Sequence, residues 1–90
     1  MTTWTLHPDF NDLLVVDDEA MVLTRDQVLR IGPIASVLVE ACQHAPASSD
    51  TLVTLCCEVF GAPPEGSADE AVAANLEELA RLHVLTEVLL

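Results

Sequence analysis

The sequence predicts an α+β domain in which a three-stranded antiparallel sheet is followed by a three-helix bundle. Short apolar runs separated by charged turns occupy the part of the 90-residue chain before Gly32. A Gly-Pro step then changes the apolar spacing from every second residue to that of a helix. Two more stretches with helical spacing follow, each preceded by serine, a residue that favours helix starts. A chain of this length makes one domain, residues 1–90, with a thin hydrophobic core.

The predicted sheet is a meander of three strands, over residues 13–16, 20–24 and 27–31. Each strand is a run of β-prone residues, and the charged residues between the runs predict tight turns. Residues 2–6, ahead of the meander, are also β-prone. A proline ends that run, because it keeps the preceding residue, His7, out of the helical region. His7 is therefore predicted to be a surface turn residue.

The third strand of the meander has two different faces. Side chains alternate across a strand, so Gln27, Leu29 and Ile31 lie on one face. That face is expected to contact the core, because it carries the larger apolar side chains. Val28 and Arg30 lie on the other face and are expected to point outward, toward solvent or a partner.

Two helices are predicted directly after the sheet. The first extends from Pro33 to His44, since proline is favoured in a first helical turn. The segment 45–47 then breaks the helical pattern with a proline. The second helix, Thr51 to Phe60, follows the capping residues 48–50 and stops at a glycine. Its predicted buried stripe consists of Leu52, Leu55, Cys56, Val59 and Phe60.

The third helix is predicted from Ala68 to Leu82, after a loop of small and turn-forming residues at 62–67. His83 follows it at a position where helices often end in the left-handed conformation. A β-prone tail, residues 84–88, is expected to form a wing or to pack on the core. Three strands followed by three helices make a winged-helix-like arrangement. The predicted buried stripe of the third helix consists of Val72, Leu76, Leu79 and Leu82.

The charge of the chain excludes several classes of partner. Net charge is −12, with Arg25, Arg30 and Arg81 as the permanent cations and no lysine. Nucleic-acid binding needs cationic side chains that release counterions, and anionic lipid repels the same surface. We therefore expect no nucleic acid and no membrane as partner. A neutral or basic protein or peptide fits better, unless the charge serves only solubility.

The cysteines and histidines do not form a recognisable chemical site. Cys42, Cys56 and Cys57 make no disulfide framework, because an odd number leaves one thiol over. Their spacing to His44 and His83 fits no common zinc pattern, and buried structural cysteines are usually inert. We therefore expect no metal, no cofactor and no enzymatic activity. Free thiols, with neither a signal peptide nor a membrane span in view, indicate a cytoplasmic protein.

Three segments, taken in order, resemble the PqqD-like family, the recognition element for ribosomally made and post-translationally modified peptides. Val28–Leu38 is similar to the family's third strand and the helix after it. Ser49–Leu55 is similar to the opening of its second helix, and Val72–Leu85 to its closing pattern. The resemblance covers most of the chain. At three positions where the family usually has an aromatic residue, an asparagine and a glycine, this chain has Leu29, Gly32 and His83.

This resemblance implies a binding module without catalysis: a stand-alone protein that binds the leader of a precursor peptide. The leader would lie as an added strand along the third strand, beside the third helix, and be presented to a modifying enzyme or leader peptidase. Arg30 would pair with a leader carboxylate, unless it is merely a solvated charge. Asp69 or Glu78 would pair with a leader cation. The peptide-binding residues implied are Gln27, Val28, Leu29, Arg30 and Ile31 on the strand, with Val72, Asn75, Leu76 and Leu79 on the helix, although Leu76 and Leu79 also suit a plain core.

A second interpretation keeps the same fold but changes the partner. Winged-helix proteins often bind DNA through their third helix, which here carries four carboxylates and a single arginine, Arg81. Reading a major groove needs cationic or amide side chains, so a DNA-binding regulator is disfavoured. An acidic accessory subunit, or a mimic of DNA, remains the alternative. An open sheet edge would also allow a homodimer.

Overall fold

The computed structural model describes residues 2–17, 19–61 and 67–88, and the fold is mixed α+β with two three-stranded antiparallel sheets and three helices. The elements in chain order are β1 (Thr3–Leu6), β2 (Phe10–Val16), β3 (Glu19–Thr24), β4 (Val28–Ile31), α1 (Pro33–His44), β5 (Ala47–Ser48), α2 (Ser49–Phe60), α3 (Ala68–Arg81) and β6 (Leu85–Val88).

The predicted meander is the sheet β2-β3-β4. β3 is its central strand and pairs antiparallel with both neighbours. Its side chains alternate as predicted for a half-buried strand: Ala20, Val22 and Thr24 are buried, and the residues between them are more exposed. On β4 the alternation also follows the prediction, with Leu29 half-buried and Val28 exposed.

The second sheet, in the order β5-β1-β6, is absent from the sequence-based expectation of one sheet followed by helices. β1 pairs with β6 along its whole length, from Thr3 opposite Val88 to Leu6 opposite Leu85. β5 adds two residues on the other side of β1. Strands therefore occur between α1 and α2 and after α3. The β-prone tail packs on the core, which was one of its two expected positions, with Val84 and Leu85 fully buried. It also pairs with β1, which the sequence did not indicate.

The helix ends follow their local signals. α1 has the predicted bounds, and Ser48 caps α2 by accepting a hydrogen bond from the Thr51 N–H (3.1 Å). Ser67 caps α3 in the same way, accepting from the Asp69 N–H at 3.1 Å. His83, with φ of 62°, takes the predicted left-handed conformation after α3. Most of the predicted loop at 62–67 lies outside the described residues.

The core lies where the three helices pack against one another and against both sheets. The last turn of α2 corrects one prediction: Val59 and Phe60 are 54% and 48% exposed, because the buried residues of this helix end at Cys56. None of the helices in the described ranges is long and apolar enough to cross a membrane. The buried apolar residues are Trp4, Ala20, Val22, Ala35, Leu38, Val39, Cys42, Leu52, Cys56, Val72, Leu76, Leu79, Val84 and Leu85.

Candidate functional site at the edge of the meander

β4 is an edge strand of its sheet. It pairs with β3 on one side, and within the described parts of the chain no strand pairs with its other side. The C-terminal strand β6 lies in the other sheet, beside β1. An edge strand presents a row of backbone donors and acceptors that another extended chain can bind. The segment predicted to hold a peptide therefore has the exposed border that the prediction requires.

The hairpin register identifies which backbone groups on β4 face outward. The Thr24 N–H donates to the Gln27 carbonyl at 2.9 Å, which makes this pair the hydrogen-bonded end of the hairpin. Hydrogen-bonded and non-hydrogen-bonded pairs alternate along an antiparallel ladder. The Leu29–Val22 pair is therefore hydrogen-bonded, whereas Val28 and Arg30 direct their N–H and C=O groups away from β3. Among the described residues, none forms a hydrogen bond with the outward N–H and C=O groups of Val28 and Arg30.

The opposite edge of the same sheet, β2, is less suited to pairing. A bulge interrupts its register between Phe10 and Asp12. The same alternation directs the Leu13 N–H outward, and the Asp12 side chain occupies it by accepting a hydrogen bond at 2.8 Å. Bulges and charged side chains are common protections of edge strands. β4 has no bulge, and although it carries one charged residue, Arg30, no described side chain bonds to its outward backbone groups. The two edges of this sheet therefore differ in their readiness to add a strand.

The side chains on the outer face of the sheet are mostly apolar. Val28 is 65% exposed and lies opposite Leu23, and Arg30 lies opposite Met21. The Arg30 guanidinium approaches the Glu19 carboxylate to 3.6 Å, and both side chains are largely exposed. Such an exposed pair contributes little to stability, so Arg30 can exchange this partner for another carboxylate at low cost.

The predicted helix residues lie elsewhere in the molecule. Val72, Leu76 and Leu79 are buried on the face of α3 that enters the core, where α3 packs against α1, α2 and β6. Asn75 is half-buried, and its Nδ2 donates to the Ala71 carbonyl at 2.8 Å. The structure therefore places Val72, Leu76 and Leu79 in the core, whereas Asn75 lies at its border. Their contact with a peptide stays a prediction.

A groove of about 320 Å³ lies between α2 and α3, beside β1 and the C-terminal strand. Sequence reasoning missed it, because its residues come from both ends and the middle of the chain. No residue of β4 lines it. Its apolar lining includes Trp4, Val53, Val72, Ala73 and Leu76, and its carboxylates are Asp50, Asp69, Glu77 and Glu87.

A smaller cavity of about 150 Å³ lies where the β3–β4 turn meets the end of α3. Gln27 lines it from the turn, and Arg81, Leu82 and His83 line it from the end of α3. Asp9 completes this wall with its carboxylate. Gln27, the first of the predicted peptide-binding residues, therefore lies near the C-terminal end of α3 and not beside the buried residues Val72 to Leu79.

The cysteines are not arranged as nucleophiles. Burial raises the pKa of the Cys42 thiol to about 11, and its Sγ donates to the Trp4 carbonyl at 3.8 Å. Burial, followed by the neighbouring Cys57, also raises the pKa of Cys56. A reactive cysteine needs a lowered pKa, so these two thiols are neutral packing groups at pH 7.

No protein-family model, curated protein or solved structure matches this chain significantly. The edge of β4, with the outward backbone groups of Val28 and Arg30, is therefore interpreted from its own geometry.

Proposed function

We propose that this chain is a stand-alone peptide-binding protein that holds the leader segment of a precursor peptide as an added strand along β4. It presents the precursor to a maturation enzyme in the cytoplasm, either a modifying enzyme or a leader peptidase, and does no chemistry itself. The proposal includes a winged-helix-like relation of the meander to the helices, as in the PqqD-like family. The observation that supports it is the outer edge of β4, which pairs with no strand among the residues that the structure describes.

The backbone of β4 supplies the first part of the binding energy. Val28 and Arg30 together offer two outward N–H donors and two carbonyl acceptors. A hydrogen bond formed in exchange for water contributes about 0.5–1.5 kcal/mol, so four bonds contribute roughly 2–6 kcal/mol before ordering costs. The conformational entropy that a peptide loses on binding offsets much of this free energy. Apolar anchors on the peptide must therefore supply the remainder.

The surface around β4 indicates the composition of the peptide. A chain with net charge −12 attracts basic segments and accelerates their encounter. Val28 and Met21 offer apolar contact to peptide side chains on the outer face of the sheet, while Arg30 favours one carboxylate in register with it. We expect a leader that is basic overall, with alternating apolar residues and one acidic residue.

The test uses proline, which removes a backbone donor and blocks strand pairing. Linear peptides are first selected from a random display library against the unmodified protein, together with any precursor peptide encoded beside its gene. Their dissociation constants are then measured for the unmodified protein and for Val28→Pro and Val15→Pro. Val15 is the matched control, because its N–H points outward from the other edge, β2. Leu76→Asp is unsuitable as a probe, since Leu76 is 3% exposed and a carboxylate there unfolds the core.

We expect Val28→Pro to weaken binding at least tenfold and Val15→Pro to leave it unchanged. In amide NMR spectra, the Val28 and Arg30 signals should move most when the peptide is added. Equal affinity in the unmodified protein and Val28→Pro contradicts strand addition at β4. Peptides that shift only the signals of the α2–α3 groove place the binding site there and also contradict it.

The exposed apolar side chains of the sheet favour a second candidate function, an acidic accessory subunit of an enzyme complex. Leu14 and Val16 lie on the same outer face as Val28, and all three are more than 40% exposed. A subunit that docks through this face would lose its partner in the double variant Leu14→Thr with Val16→Thr, yet would bind no isolated peptide.

A homodimer could form by pairing of two β4 edges, and Val28→Pro would dissociate it into monomers.

A further inference from the structure

Two histidines and one aspartate from opposite ends of the chain meet beside the small cavity at the end of α3. One ligand atom from each of His7, Asp9 and His83 can be chosen so that all three atoms lie within 4.8 Å of one another. Asp9 Oδ2 is 3.5 Å from His83 Nδ1 and 3.9 Å from His7 Nδ1. The two imidazole rings stack nearly parallel, with their centroids 4.7 Å apart.

We propose that His7, Asp9 and His83 form a binding site for a divalent transition metal ion of the zinc class. Imidazole nitrogen and carboxylate oxygen are ligands that such ions accept, and either ring nitrogen of histidine can serve. A tetrahedral zinc ion with bonds of about 2.0–2.2 Å holds its ligand atoms about 3.3 Å apart. The separations of 3.5 and 3.9 Å from Asp9 are somewhat longer than this, so the three side chains must move closer together to bind the ion. This site is independent of the proposed peptide binding.

Backbone hydrogen bonds hold the three residues in place. The His7 N–H donates to the Val84 carbonyl at 2.9 Å, which ties the turn after β1 to the end of α3. The Arg25 N–H donates to the Asp9 carbonyl at 2.9 Å and fixes the turn from the other side. The left-handed backbone of His83, itself held at the end of α3, turns its side chain toward this frame. Metal-binding side chains that are held on a rigid frame lose less conformational entropy on binding than side chains on mobile loops.

The surroundings also suit a cation. Arg25 Nη2 lies 3.6 Å from Asp9 Oδ1, the carboxylate oxygen that does not face the histidines. This ion pair on the far side of the Asp9 carboxylate helps to orient it, as outer contacts do in many metal sites. Asp9 and His83 both line the 150 Å³ cavity, which leaves space for a water or an incoming ligand at a fourth position. The net charge of −12 favours cation entry.

Metal binding replaces an existing contact. The Asp9 N–H donates to His7 Nδ1 at 3.0 Å, and this bond must break if that nitrogen binds the ion. The stacked rings must also rotate so that both lone pairs point to one centre, a soft torsion for histidine. Breaking this hydrogen bond and rotating the rings cost free energy, so we predict a moderate affinity for the metal. Loss of the ring stacking is then a structural change that reports metal binding.

The test adds Zn²⁺, and separately Co²⁺, to the untagged full chain after removal of metal with a chelator. His7→Asn keeps an acceptor for the Asp9 N–H in an Asx-turn while removing an imidazole. His83→Asn keeps a residue that tolerates the left-handed conformation. His44→Gln is the matched control, because His44 is an exposed histidine at the end of α1. Calorimetry gives stoichiometry and affinity, and the Co²⁺ absorption spectrum identifies the ligand type.

We expect one Zn²⁺ per chain and a melting temperature raised by about 15 °C when free metal is ~100 times its dissociation constant. Affinity should fall at least tenfold in His7→Asn and in His83→Asn and stay unchanged in His44→Gln. Absence of binding at millimolar Zn²⁺ overturns the proposal, and so does an affinity in either asparagine variant equal to that of the unmodified protein. A thiolate-to-cobalt charge-transfer band also overturns it, since it assigns the metal to a cysteine.

Discussion

Replacing Val28 or its neighbour Leu29 by proline tests the orientation of the β4 backbone without any ligand. The register directs the Leu29 N–H toward the Val22 carbonyl on β3, whereas the Val28 N–H points to the open edge. Proline has no N–H and is tolerated in sheets only where that group faces away from a neighbour strand. Val28→Pro should therefore leave the ladder intact, and Leu29→Pro should break it.

The sizes of the two effects follow from burial and hydrogen bonding. Val28 is 65% exposed and donates no ladder bond, so Val28→Pro should cost about 1 kcal/mol or less. Leu29→Pro loses a ladder bond, leaves the Val22 carbonyl unpaired and removes part of a half-buried side chain, a total of about 3 kcal/mol. That is roughly a fifth to three-fifths of a typical total stability of about 5–15 kcal/mol. Leu29→Ala removes the side chain alone and should cost about 1.5 kcal/mol.

Urea unfolding, followed by circular dichroism, measures all three free energies. Amide hydrogen exchange on the unmodified protein gives an independent measurement, because outward amides exchange faster than those in the ladder. The Val28 and Arg30 amides should exchange quickly, and those of Leu29 and Ile31 slowly. Equal destabilisation by Val28→Pro and Leu29→Pro, or slow exchange at Val28, would show that the register is wrong or that something covers this edge.

Three further predictions concern the body of the fold. Leu38→Ala should destabilise the protein by about 2–5 kcal/mol in urea unfolding, because Leu38 is fully buried and its loss leaves a cavity; a loss below 1 kcal/mol would contradict its place in the core. Ser48→Ala removes the α2 cap and should cost about 1 kcal/mol, whereas Ser48→Asp should retain most of it. Burial raises the pKa of Cys42 from 9.0 to about 11, so the unfolded chain loses this proton first and stability should fall between about pH 9 and pH 11. A Cys42→Ala variant should show a shallower decline over that range, and an unchanged slope would refute the assignment.

Sequence patterns were sufficient for the elements whose signals are local. The Gly32-Pro33 step, the serine caps and the left-handed His83 fix helix ends locally, so the bounds could be predicted to within two residues. The differences are that α2 begins two residues before the predicted start and α3 ends one residue before the predicted end. The meander was also predictable, because its strands are joined by short turns. The exposure of Phe60 could not be predicted, because the spacing of apolar residues indicates which face of a helix contacts the core but not where along the helix that contact ends.

The second sheet and the histidine cluster could not be predicted for the same physical reason. β1 pairs with β6, and His7 contacts His83, only after the long segment that separates them in sequence has folded. No local pattern encodes such a meeting. The edge position of β4 was inferred correctly from the order of the meander, but the relation of β4 to α3 depends on helix packing. The buried state of Leu76 and Leu79 therefore agrees with the plain-core interpretation that the sequence left open.

The pairing of β1 with β6 has a consequence for synthesis on the ribosome. Contacts between segments that are far apart in sequence form late, because the later segment must first leave the exit tunnel. Until β6 emerges, one side of β1 has no partner, and the core lacks Leu85. The β2-β3-β4 meander needs only nearby residues, so during translation it can assemble well before the domain closes around Trp4.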